Sequence, residues 1–263
     1  MLLATLKYAF IMMIGLFLVA PTIVVFIISF SSATILFFPP PGYSLRWYVN
    51  FFAAPLWTAG TVTSLMVGAV AMGAATLLGT LVALGMVRGR LPGRAVINAL
   101  VLSPVIFPSV IVALAVYIVA LRLYLAGTML ALFLAHTALA IPFVVVNVSA
   151  SLRLMDQSVE LAARSCGAGP IRTFLEITLP LIWPGVAAGA LFAFITSWDE
   201  VVVSFFLATP LVQTLPVVIW QQIRQDIDPT VAAAASIVTA LSFCLLALWV
   251  LIRWWSGRLR TAG

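Results

Sequence analysis

Apolar residues along this 263-residue chain gather into six long runs with short polar punctuation between them. The runs cover roughly residues 8–30, 59–87, 95–121, 128–150, 181–207 and 232–254. At 1.5 Å of rise per residue each crosses an apolar layer about 30 Å thick, so the pattern predicts six transmembrane helices. The first run follows Lys7 and exceeds the 7–15 residues usual for a signal-peptide core, so an uncleaved span is expected there. Two shorter segments follow a different pattern. Ser44–Phe52 mixes aromatics with Arg46 and Asn50 after the prolines at 39–41, as a helix at the membrane interface does. Thr214–Pro229 places Ile219, Ile223 and Ile227 at i, i+4 and i+8, with Thr214 as cap and Pro229 as stop. An amphipathic helix packed on the outer side of the bundle is expected there.

Composition removes the soluble alternative. The chain is 64% hydrophobic and 8% charged, where a soluble domain carries about 25% charged residues. The net charge of +6 does not imply nucleic-acid binding, because the basic residues stand at the ends of runs. Their distribution sets an orientation. With the N-terminus inside, Lys7, Arg88, Arg90, Arg94, Arg153, Arg164, Arg172, Arg253, Arg258 and Arg260 are cytoplasmic. Only Arg46, Arg122 and Arg224 lie outside, a split of ten against three. Both termini and the 151–180 loop are then cytoplasmic. Cys166 and Cys244 are far apart, with no metal-ligand spacing, and no metal site or catalytic residue is expected. No repeat or soluble domain interrupts residues 1–263, which read as a single membrane domain.

The 151–180 loop is the polar exception. Asp156 caps a helix over "VELAARSC", and Gly167-Ala168-Gly169-Pro170 ends it. A second short helix is expected over Ile171–Ile177, leading through Pro180 into the fifth run. On pattern alone this is either a structured connector or a docking element.

The loop resembles the "EAA" loop of the permease subunits of ABC importers. Ala162, Ala163, Gly167, Ile177, Leu179 and Pro180 fall on that signature. Leu161 stands where the signature has Glu, and the acid Glu160 comes one residue earlier, rotated by about 100° on a helix. "SWDEVVVSFFLATP" (197–210), "TLPVVIWQQIRQDIDPTVAAAA" (214–235), Trp47-Tyr48 and "SPVIFP" (103–108) are similar to the second-permease branch of spermidine/putrescine-type importers. The resemblance implies an all-α type I importer permease of six transmembrane helices in a bacterial inner membrane. It implies three partners: an ATPase dimer docked on a coupling helix, a second related permease, and an extracytoplasmic binding protein. ATP and magnesium would belong to the ATPase. This chain carries no Walker-type glycine loop and would bind no cofactor. Its coupling residues would be Glu160, Ala162, Ala163, Gly167, Ile177, Leu179 and Pro180. The solute would be a small cation such as a polyamine, or else another small polar molecule.

Polar residues inside the runs supply the candidate path. Asp199 and Glu200 sit late in the fifth run, after Ser197 and Trp198. A carboxylate within a span costs about 2.5–3.5 kcal/mol unless it faces a cavity or partner. Asp199 and Glu200 are therefore candidates either to attract an ammonium group or to serve as structural acids at the outer interface. Trp198 either stacks on a cation or belongs to the interfacial aromatic belt. Pro104 and Pro108 free the carbonyls of Leu100 and Pro104 in the third run. Polyamine permeases often carry an acid after the second proline; here Ser109 occupies that position. His136, the single histidine, reads as a bundle hydrogen-bonder and Asn147 as a link between helices. An ion-coupled secondary transporter would show inverted repeats, and an intramembrane enzyme would need convergent ligands; neither pattern occurs.

Overall fold

The computed structural model describes residues 2–89, 92–225 and 228–261, with side chains between Leu6 and Leu251. Arg90, Ile227 and the side chains of Arg253, Arg258 and Arg260 lie outside the described residues. The chain runs through α1 (Leu2–Ser29), α2 (Arg46–Ala53), α3 (Pro55–Arg88), α4 (Arg94–Ile106), α5 (Ser109–Arg122) and α6 (Met129–Leu154). It continues through α7 (Gln157–Ser165), α8 (Pro170–Thr173), a π-helical turn (Phe174–Thr178), α9 (Leu179–Trp198), α10 (Val202–Leu207), α11 (Leu215–Gln225) and α12 (Thr230–Thr261). Five helical segments are long and apolar enough to cross a membrane, and the bent pair α4–α5 makes up to six.

The centre is a three-helix contact of α3, α6 and α9. Along α3 the buried positions Gly60, Ser64, Gly68, Ala71, Ala75, Gly79 and Ala83 recur every three or four residues. Such a stripe of small side chains lets two backbones approach, which matters where lipid offers no hydrophobic driving force. Val144 of α6 shows how close they come. A Cβ added to Gly79 would lie 2.7 Å from the Val144 Cβ, and one added to Gly189 of α9 would lie 3.0 Å from the Val144 Cα. α1 is exposed from Leu6 to Ile23 and packs chiefly on α12.

Several expectations need correction. The third run is two helices, α4 and α5, bent by 107° at Phe107-Pro108. Pro104 sits inside α4, and the Ser103 hydroxyl donates to the Leu100 carbonyl that this proline frees. Pro108 then caps α5. The fifth span begins at Pro170, not 181, and ends at Trp198, not 207. Pro180 has no N–H for the Glu176 carbonyl, and its ring would crowd that carbonyl. The helix widens into a π turn, in which the Leu179 N–H reaches Phe174, and so passes the proline without stopping. The expected separate helix over 171–177 is thus part of one continuous rod.

At the end of the bundle away from the 151–180 loop, α2 forms as expected. α11 packs through Leu215, Val217 and Val218, whereas Ile223 is exposed. The Thr214 hydroxyl does not cap α11; it is buried without a hydrogen-bond partner among the described residues. The Leu215 N–H instead reaches the Ser64 hydroxyl of α3 at 2.8 Å. Asn147 turns back to the Phe143 carbonyl of its own helix and links no second helix.

Candidate functional site: a docking loop and a carboxylate at opposite ends of one helix

α7 forms where the sequence places it. The Asp156 carboxylate accepts the Ser158 N–H at 2.9 Å. Hydrogen bonds from Ser158 hold that carboxyl below its usual range, so the cap is charged at neutral pH. At the other end the Gly167 N–H bonds to the Arg164 carbonyl and the Ala168 N–H to the Ala163 carbonyl. This is the 5→2 and 6→1 pair that closes a helix on a left-handed residue. Gly167 supplies it at φ +89°.

The loop's residues then divide into two sets. Leu161, Ala162, Gly167, Pro180 and Ile171 are exposed, with Ala163 half-buried. Leu161 and Ile171 leave 62% and 76% of their surface open, a large apolar exposure for a loop at the end of a bundle. Ile177 and Leu179 are half-buried, and Leu179 packs on the core between α3, α6 and α9. These two fix the loop to the bundle and do not present themselves to a partner.

Glu160 also turns inward. Its Oε1 accepts the Thr178 hydroxyl at 2.7 Å, and its Oε2 lies 3.0 Å from Nε of Arg88 at the end of α3. The approach of Nε is off the line that a hydrogen bond requires, so the contact is an ion pair. Arg88 further donates to the Met155 carbonyl at 3.5 Å. Glu160 is therefore a brace between α3, α7 and the π turn. Arg88 and Thr178, separated from it by 72 and 18 positions, carried no signal in the sequence. Glu160→Gln is expected to keep the Thr178 contact and lose the ion pair. Breaking such a partly buried pair from one side leaves Arg88 uncompensated, at a cost of about 1–3 kcal/mol. Faster proteolysis or labelling of the 151–180 loop in Glu160→Gln, restored by Arg88→Gln in the same chain, is the check.

At the other end of the rod, Trp198 is 1% exposed. It stacks on Phe194 with ring centroids 6.0 Å apart and donates to the Val238 carbonyl at 3.3 Å. It neither meets a solute nor joins an interfacial belt. Ser197 is buried too, and its hydroxyl is 2.7 Å from Nδ1 of His136. Nε2 of His136 is 2.8 Å from the Ser204 hydroxyl. One imidazole thus ties α6 to α9 and α10, the bundle role expected of it. Glu200 caps α10, its two oxygens accepting the Val203 and Ser204 N–H groups at 2.8 Å each. Each of its oxygens already holds one backbone N–H, so Glu200 has a structural task that Asp199 lacks.

Asp199 differs. It ends α9, its N–H bonded to the Ile195 carbonyl, and its residue is exposed. No described cation pairs with it. It borders a cleft of about 280 Å3 shared with Trp220 of α11 and Val238 and Thr239 of α12. Ser109 is exposed at the α4–α5 elbow, apart from this cleft.

Residues 1–253 match the profile of the family described as the binding-protein-dependent transport system inner membrane component. The chain belongs to this family. The permease is 33% identical over 229 residues to the putrescine transport system permease protein PotI of Escherichia coli (strain K12), covering 84% of this chain and 81% of PotI. It is 29% identical over 205 residues to the spermidine/putrescine transport system permease protein PotC of the same strain, with 78% of each chain covered. Its fold matches a bacterial ABC transporter involved in the import of the acidic polysaccharide alginate, with a TM-score of 0.70 at 14% identity over 96% of each chain. A second alginate transporter structure, in complex with its pentasaccharide-bound periplasmic protein, gives 0.68 at 16% identity over 98% of this chain and 94% of that one. The permease is a multi-span inner-membrane transport subunit of an ABC importer, with the type I permease fold, and not an enzyme.

Proposed function

We propose that this permease forms half of the pathway of an ATP-driven importer for a polyamine of the putrescine or spermidine class. The observation that carries the mechanism is the continuous helix from Pro170 to Trp198, 29 residues long. It joins the coupling loop to Asp199 through a rod of roughly 43 Å. An ATPase dimer docks on Leu161, Ala162 and Ile171, with Gly167 setting the turn. The ATPase holds ATP and magnesium. A second permease of the same family completes the pathway, and an extracytoplasmic binding protein delivers the solute. When the ATPase closes, the loop moves and carries the rod with it, as a rigid element does. The Arg88–Glu160–Thr178 contacts keep loop and rod in register.

At the far end, an ammonium group leaving water needs an anionic acceptor, because an unpaired charge is costly in a low-dielectric passage. Asp199 has a free carboxylate in its cleft; Trp220 borders the same cleft with the Arg224 guanidinium already over its ring, 5.0 Å from the centroid. The names of PotI and PotC support a polyamine as the cation. The distribution of basic residues supports a cytoplasmic position for both termini and the coupling loop. Cysteine labelling tests this side assignment: Gln157→Cys is expected to react with an impermeant thiol reagent only after the membrane is opened. Reaction in sealed cells would put the docking loop on the wrong side. The native Cys166, which lies exposed on the same loop, is first replaced by Ser.

A further inference from the structure

Three arginines from three helices converge at the end of the bundle that carries the coupling loop. Arg88 ends α3, Arg94 begins α4, and Arg153 lies in the last turn of α6. Together with Met155, Asp156 and Gln157 they line a cleft of about 520 Å3. Arg88 is committed to Glu160 and the Met155 carbonyl. Arg94 and Arg153 are exposed and have no hydrogen bond or ion pair among the described residues. Asp156 is the one carboxylate lining the cleft, and it already caps α7. α4 starts here after Gly93 at φ +72°, with no side-chain cap on its N-terminus. The dipole of α4 therefore adds to the positive field.

Orienting a membrane protein requires arginines near helix ends, but it does not require them to share one cleft. Residues 94 and 153 are far apart in sequence and meet here. α6 has 26 residues, about 39 Å, which exceeds the ~30 Å hydrocarbon layer. Arg153, next to its last residue, then stands at headgroup depth. The planar fork of a guanidinium matches the oxygens of a phosphate better than any other side chain.

We propose that the Arg88–Arg94–Arg153 cleft binds a phosphate group, supplied either by an acidic phospholipid at the membrane surface or by free inorganic phosphate. Basic clefts between helix ends suit such headgroups. A phosphate held there borders Arg88, the residue that braces Glu160 and the coupling loop. The inference rests on the family's assembled complex but not on the identity of its solute.

The test uses the intact complex in lipid nanodiscs. Both leaflets carry the same lipid, so the outcome does not depend on which face is cytoplasmic. Discs of phosphatidylcholine with and without phosphatidylglycerol are compared by native mass spectrometry, counting retained phosphatidylglycerol. The wild type is expected to retain phosphatidylglycerol that Arg94→Gln/Arg153→Gln loses, with occupancy falling roughly tenfold for the loss of two charged contacts. Arg122→Gln, at the other end of the bundle, is expected to match the wild type. A parallel titration adds inorganic phosphate to phosphatidylcholine discs. Binding that the double variant loses assigns the site to free phosphate; retention of the lipid without such binding assigns it to the headgroup. Equal lipid retention and equal phosphate binding by wild type and double variant overturn the proposal. If the double variant does not assemble, the two single variants are judged by the same criterion. Transport activity plays no part in the readout, so failure of the polyamine reading leaves this test intact.

Discussion

Asp199→Asn is expected to lower solute uptake by roughly ten- to hundredfold while the complex still assembles, because one charge-assisted hydrogen bond contributes about 1.5–3 kcal/mol. Asp199 is the free carboxylate at the far end of the rod, and no described residue pairs with it. Replacing it with an amide keeps the shape and the helix end, since the backbone N–H to Ile195 is untouched. What disappears is the acceptor for a cation. Glu200→Gln makes the contrast. Its carboxylate caps α10, so an amide there keeps one of the two backbone contacts and loses the other. The expected result is a smaller yield of folded complex with near-normal uptake per assembled molecule. The measurement is uptake of labelled putrescine and spermidine into proteoliposomes holding the whole complex, normalised to assembled protein. Wild-type uptake by Asp199→Asn would make it a structural acid at the interface.

Ala162→Asp is expected to abolish productive docking of the ATPase without unfolding the permease. Ala162 is exposed, so the substitution buries no charge within this chain and opens no cavity. A carboxylate placed in an apolar protein contact must be desolvated, which costs several kcal/mol without a partner. A loss of at least about tenfold in ATPase association follows. Gly167→Val acts differently, since a β-branched residue at φ +89° is strained whatever the space around it. It is expected to distort the loop and to lose coupling through shape. Pull-down of the ATPase and transport-coupled hydrolysis distinguish the two. Normal hydrolysis coupled to uptake in Ala162→Asp would remove the exposed face of α7 as the docking surface.

The sequence made the long apolar elements legible, because crossing a membrane imposes length and hydropathy on a helix directly. α1, α3, α6 and α12 start or end close to where the runs do. Local punctuation was also readable: Asp156 caps α7, and Gly167 closes it with the geometry that the glycine implied. Proline was read too simply. A short helix over Ile171–Ile177, separate from the fifth run, was expected before Pro180, but a helix can widen around a missing N–H, and the π turn joins loop to span. At Phe107-Pro108 the opposite happened, and a single expected span broke. The site was legible only in part. Family spacing located the coupling loop but grouped together residues with opposite placements: Glu160, Ile177 and Leu179 are half-buried or nearly so, Ala162 and Gly167 exposed. Near Asp199, residues adjacent in sequence suggested a shared role that helix ends do not allow. Trp198 is core, Ser197 serves His136, and Glu200 caps α10. The Arg88–Glu160 and His136–Ser204 contacts join residues 72 and 68 positions apart. No local pattern encodes such pairs.

The most direct measurement of the central claim is ATP-driven uptake by the complex purified through this chain and rebuilt in proteoliposomes. The ATPase, second permease and binding protein that co-purify are included. The account predicts uptake of labelled putrescine or spermidine that requires both ATP and the binding protein and is competed by unlabelled polyamine. Uptake driven by an ion gradient without ATP, or ATP-driven uptake that an uncharged or anionic solute competes and polyamines do not, would contradict it.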